Sequence, residues 1–125
     1  MRLLLDSHVA FWWALSPEKL SAKAHTEISK PKNDVFISVV SVWELGLKVS
    51  KGKLQIPKEF GELMCKNGIE SIPFRESHAY SSIALPRIHG DPFDRALVAQ
   101  CLVENFTLVT RDSTLTQYGI QILEG

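Results

Sequence analysis

Short apolar runs alternate with helix-periodic segments along the whole chain, and that alternation most constrains the fold. Leu3-Leu4-Leu5, Val35-Phe36-Ile37-Ser38, residues 69–73, Phe106-Thr107-Leu108-Val109 and Ile120-Gln121-Ile122-Leu123 read as strands. Residues 9–15, 17–29, 42–50, 57–67, 76–85 and 92–104 read as helices. Ser16-Pro17 supplies a cap and a first helical proline, and Leu20, Ala24 and Ile28 then fall in step on one face. Ser41 is the expected cap of the 42–50 helix, and Asp91-Pro92 opens the most periodic helix, with Phe93, Leu97, Val98, Cys101 and Leu102 on a shared face. Strands alternating with helices predict an α/β sandwich with a mainly parallel sheet.

At 125 residues, without repeat or linker, the chain is expected to be a single domain spanning 1–125. Lys+Arg and Asp+Glu balance at 14 each, so any nucleic-acid-binding surface must be local. Cys65 and Cys101 have no metal-ligand spacing and read as buried free thiols of a reducing, cytoplasmic setting. There is no signal-peptide pattern, and no apolar run approaches the ~20 residues of a membrane helix. Phe11-Trp12-Trp13 cannot all face one core at 100° per residue, so part of the triplet should be exposed and available to a partner.

The acids carry the chemistry. Asp6 ends the first strand, where ligands of a parallel sheet bind, and it is equally a good helix cap. Glu44 lies among Val42, Trp43, Leu45 and Leu47, in the first turn of its expected helix. It either needs a partner or closes a capping box with Ser41. Asp91 has the N-cap position before Pro92, Asp94 follows in the first turn, and Asp112 stands after the 106–109 strand. Each has a structural role to hand. Together they place several like charges at one sheet edge, and the usual remedy is a divalent cation, Mg²⁺ or Mn²⁺ for carboxylate oxygens. Such a site hydrolyses phosphodiesters. His8, His25, His78 and His89 are scattered and read as surface or core residues. His89, beside Gly90-Asp91, is the one best placed to touch substrate.

LLLDSHVAFWW, SVVSVWELGLK, HGDPFDRALVAQ and LVTRDSTLTQYG resemble the four acidic motifs of PIN-domain ribonucleases, in particular VapC-type toxins of toxin–antitoxin pairs. The resemblance runs from Arg2 to Leu123 and implies a PIN-like three-layer α/β/α sandwich. It implies a Mg²⁺-dependent endoribonuclease acting on tRNA or other structured RNA and held inactive by a cognate antitoxin, while the aromatic triplet is expected to help form a homodimer or an antitoxin groove. By position Asp6, Glu44, Asp94 and Asp112 match the four acids as catalytic and metal-binding residues, with Asp91 a supporting residue or alternative ligand. Arg95, Thr110, Arg111 and Lys48 are the candidate substrate contacts. The alternative is a degenerate PIN fold that binds RNA or a partner without cutting. A haloacid-dehalogenase-type phosphatase would want an aspartate where His8 stands, and a receiver domain a lysine after a late strand.

Overall fold

The computed structural model describes all residues, Met1–Gly125. The strands are β1 (Arg2–Leu5), β2 (Asp34–Ser38), β3 (Ile69–Ile72), β4 (Thr107–Thr110) and β5 (Gln121–Glu124). The helices are α1 (Ser7–Leu15), α2 (Ala22–Ser29), α3 (Val39–Ser50), α4 (Phe60–Lys66), α5 (Glu76–Ala84) and α6 (Pro92–Glu104). Short 3-10 turns occupy Pro17–Lys19 and Ser113–Tyr118. Every strand pair is parallel, and the sheet order is β3-β2-β1-β4-β5.

Residue alternation along β1 separates two cores. Leu3 and Leu5 join Val9, Leu20, Ile28, Ile37, Leu45 and Met64 on one face. Leu4 faces the other way, among Leu97, Val98, Cys101, Phe106, Leu108 and Leu115. A sheet buried on both faces needs the unbroken apolar strands seen in the sequence, and the result is a three-layer sandwich. β1 is central, and the strand order turns there: the chain moves outward to β2 and β3, then returns to the opposite side as β4 and β5. That reversal opens a crevice beyond the carboxyl ends of β1 and β4.

Several local expectations are corrected. The segment from Pro17 to Ser29 is not one helix. Leu20 is extended, and Ser21 caps α2 by accepting the Ala24 amide while its own amide reaches the Gly125 carbonyl. Tying this corner to the end of β5 overrides the helical period. Likewise α3 begins at Val39, directly after β2, because the buried Ser38 hydroxyl accepts the Val40 amide. Ser41 therefore lies inside the first turn, its buried hydroxyl unpaired, and the Ser41–Glu44 capping box does not form. Glu44 moves to the second turn. Cys65 is exposed on α4, whereas Cys101 is buried, and burial pushes its thiol up to about 12. Leu102, expected on the buried face of α6, is exposed.

The aromatic triplet is half-buried rather than displayed. Phe11, Trp12 and Trp13 pack against the first core, Trp13 beside His25 and Trp12 beneath the Arg111 guanidinium at 4.5 Å. Large exposed apolar side chains lie on α3 instead, where Trp43 is 63% exposed and Val39, Val42 and Val49 are exposed with it, and on α5, where Tyr80 and Ile83 are exposed. No helix is long and apolar enough to cross a membrane.

Candidate active site

A cleft of about 430 Å³ opens at the strand-order reversal and is lined by Asp6, Ser7, His8, Trp12, Glu44, Asp91, Asp94, Thr110, Arg111 and Asp112, among others. All five acids singled out in the sequence therefore meet in one place. Local structure explains how. Asp6 caps α1 through the Val9 amide at 2.8 Å, so the cap role and the cleft position coexist in one side chain. Asp91 caps α6 through the Phe93 amide at 2.9 Å, which leaves Asp94 one position further round the first turn, turned into the cleft. Asp112 caps the 3-10 turn after β4 by accepting both the amide and the hydroxyl of Thr114. Glu44, from α3, accepts the Ser7 hydroxyl at 2.7 Å and has Lys48 at 3.6 Å.

Electrostatics divide these acids. Burial raises the Asp6 carboxyl above its usual range, opposed by the Thr110 hydroxyl and the Val9 amide. Asp94 is pushed up to about 7, first by burial and then by Asp91, with Glu44 and Asp6 adding to it. Asp112 goes the other way: hydrogen bonds from Thr114, and more weakly from His89, hold it below the ordinary carboxylate range. Carboxylates that resist ionisation beside one another suit a hard divalent cation, and the cleft's donors are oxygens throughout this inner part. His89 completes the outer part: its Nε2 lies 3.0 Å from Asp112 and 3.6 Å from Asp94. The ligand-capable atoms of His89, Asp94 and Asp112 fall within 4.8 Å of one another.

The candidate substrate contacts divide as well. Thr110 and Arg111 line the cleft, although Arg111 lies over Trp12 and donates to the Lys19 and Gly125 carbonyls. Lys48 pairs with Glu44 and with His8, whose Nε2 is 3.2 Å away. Arg95 is not brought to the cleft: its guanidinium donates to the Ser82, Leu85 and Pro86 carbonyls and to the Tyr118 hydroxyl. Its neighbour Asp94 made it look like a phosphate contact, but on a helix adjacent residues diverge by about 100°. The sequence offered Ser7 only as a helix cap and gave Tyr118 no role, so their contacts with Glu44 and with residue 89 went unforeseen. A serine directly after an acid reads as another cap, and nothing in the sequence ties Tyr118 to residue 89.

Fold and site together define a class: a parallel α/β fold with its carboxylates gathered at the reversal of strand order, the layout of the PIN fold. The PIN domain description matches residues 3–121. Over 119 residues the chain is 30% identical to Ribonuclease VapC22 of Mycobacterium tuberculosis, covering 93% of this chain and 91% of that protein. The chain belongs to the PIN-domain family, among the VapC proteins. Among solved structures it is similar to VapBC2 from Rickettsia felis bound to a DNA fragment from its promoter, at TM-score 0.70 and 20% identity, covering 98% of both chains. A toxin–antitoxin complex from Klebsiella pneumoniae matches at TM-score 0.67 and 19% identity, covering 98% of this chain and 96% of that one. At those identities the likeness is one of fold.

Proposed function

We propose that this protein is a Mg²⁺-dependent endoribonuclease and the toxin of a toxin–antitoxin pair, acting on tRNA or other structured RNA. The observation that carries the reading is the convergence of Asp6, Glu44, Asp91, Asp94 and Asp112, with the Asp94 carboxyl held at about 7 by burial and by its neighbours. A cleft that destabilises its own anions is prepared for a cation. Asp6, Glu44, Asp94 and Asp112 would hold it. A divalent cation held by these residues, Mg²⁺ or Mn²⁺, would supply the positive charge that polarises a phosphodiester and favours the hydroxide form of an attacking water. The chain supplies the positioning. Ser7 fixes the Glu44 carboxylate, Thr110 steadies Asp6, and Thr110 and Arg111 form the wall along which a phosphate backbone would lie.

The test is incubation with total RNA, with and without Mg²⁺, followed by mapping of the cut ends. Discrete ends that require both the cation and Asp6 are expected. RNA binding without cleavage under any divalent cation would favour the degenerate, binding-only alternative.

Two features support a protein partner. Relatives of this fold were solved as VapBC and toxin–antitoxin complexes. An apolar groove of about 1140 Å³ runs between α3, α4 and β3, lined by Val39, Val42, Trp43, Phe60, Met64 and Ile69 among others. In this reading a cognate antitoxin, and self-association as a homodimer, cover apolar surface of that kind. Light scattering of the protein alone is expected to give twice the chain mass.

A further inference from the structure

We propose that His89 is a positioning residue, a locked hydrogen-bond donor that aims the Asp112 carboxylate into the cleft, and is not itself a metal ligand. The inference deepens the metal-dependent reading above and rests on it.

The geometry decides which ring nitrogen carries the proton. The Asp91 backbone amide donates to His89 Nδ1 at 3.1 Å. Nδ1 is therefore the acceptor, which leaves Nε2 as the ring's donor. The Nε2 hydrogen points at Asp112 Oδ2, 3.0 Å away, with Asp94 Oδ2 at 3.6 Å. The spacing of His89, Asp94 and Asp112 would suit a shared cation, but a nitrogen bearing a proton offers no lone pair. Moving the proton to Nδ1 would set two N–H groups face to face at 3.1 Å. The imidazole is thus held in the non-ligating tautomer by main chain.

The loop carrying His89 is itself braced. The His89 amide donates to the Tyr118 hydroxyl at 2.8 Å, and that hydroxyl also accepts from Arg95 at 3.4 Å. Arg95 in turn ties down the Ser82, Leu85 and Pro86 carbonyls at the loop's start. The chain Arg95, Tyr118, His89, Asp112 runs from α6 through the 3-10 turn to the cleft. Asp112 Oδ1 is taken by Thr114 and Oδ2 by His89, so its carboxylate plane is set before any cation arrives. Groups of this kind outside the ligand set change metal affinity by ~10–100-fold when removed.

Two variants separate donor from ligand. In His89→Gln the side-chain amide nitrogen reaches the place of Nε2 and keeps the donor. In His89→Asn an amide oxygen replaces Nδ1, so the loop keeps its acceptor for Asp91, but the donor to Asp112 is lost. Calorimetric titration with Mg²⁺, Mn²⁺ and Co²⁺ reads binding without activity. His89→Asn should weaken all three by about tenfold, and His89→Gln should restore parent affinity with the same Mg²⁺-to-Co²⁺ preference. Nitrogen-15 spectra of the ring should show a protonated Nε2 with and without Mg²⁺. Selective loss of Co²⁺ affinity in His89→Gln, or loss of the Nε2 proton on adding cation, would make His89 a ligand and overturn the proposal. Parent-like affinity in His89→Asn would overturn it too, leaving the metal site intact. No cation binding by the parent would instead remove the metal reading itself, and the proposal with it.

Discussion

The two ends of the cleft hold the same residue type in opposite conditions. At the inner end Asp94 sits among Asp91, Glu44 and Asp6 and is held at about 7. At the outer end Asp112 receives hydrogen bonds from Thr114 and His89, and its carboxyl is lowered. The outer acid is stabilised as an anion by the protein's own donors. Asp94 has only His89 at 3.6 Å in its favour, and burial and the neighbouring acids oppose its charge. The difference locates where a cation lowers the free energy most.

Removing an inner charge should have the largest effect. Asparagine caps a helix as well as aspartate, so Asp6→Asn should keep the Val9 hydrogen bond and the fold. RNA cleavage should fall by roughly a hundredfold or more. Undiminished Mg²⁺-dependent cleavage by the folded variant would remove Asp6 from the chemistry.

Asp94 gives the comparison a sign. A carboxyl that binds its proton more tightly when folded subtracts stability as pH rises from its ordinary 3.8 towards about 7. In chelator the protein should therefore melt higher near pH 5 than near pH 8, by on the order of 2–3 kcal/mol at this site. Asp94→Asn should flatten that slope, melt roughly 5–10 °C higher than the parent in chelator near pH 8, and gain less from Mg²⁺. Melting curves at the two pH values, with and without Mg²⁺, check all three. An equal drop with and without the cation would mean that Asp94 serves only the helix terminus.

Asp112 should behave in the opposite sense. Its lowered carboxyl contributes stability above the ordinary carboxylate range, and that contribution is lost as pH falls through the folded value. Asp112→Asn should lower the melting temperature in chelator near pH 8, by less than about 1 kcal/mol because the side chain is partly in water. A rise in its melting temperature would erase the contrast between the two ends. An effect of similarly small size is expected from Ser7→Ala, which frees Glu44 of its 2.7 Å hydrogen bond. It should lose about 1 kcal/mol and bind Mg²⁺ a few-fold less tightly by calorimetry.

The strands and the acids were readable in the sequence because both follow local rules. An unbroken run such as Leu3-Leu4-Leu5 can only be satisfied by burial on both faces, and an acid after it falls at the carboxyl end of a parallel strand. What was not readable depends on distant partners. Ser38 and Ser41 are equally good caps by type, and only the docking of β2 decides that Ser38 caps α3. The helical period across Pro17 to Ser29 gives way to a tie between Ser21 and Gly125. Arg95 and Tyr118 acquire their roles from a contact across 23 positions. The Phe11-Trp12-Trp13 triplet drew attention as aromatic surface, whereas it packs against the first core with Arg111 over Trp12, and Trp43 and Tyr80 are the more exposed aromatics.

The strand order also has a consequence for how the molecule comes into being. β1 is made first, yet Leu3 pairs with Val35 on one side and with Thr107 on the other. Closing that second ladder joins the two ends of the chain, a slow step for topologies of high contact order. During vector synthesis from the ribosome, Asp6 and Glu44 emerge early, but Asp94 and Asp112 arrive only with α6 and the residues after β4. A growing chain therefore carries two of its five cleft acids before the rest of the cleft exists. A prematurely terminated chain lacking β4 would keep Asp6, Glu44, Asp91 and Asp94 but lose Thr110, Arg111 and Asp112, one wall of the cleft.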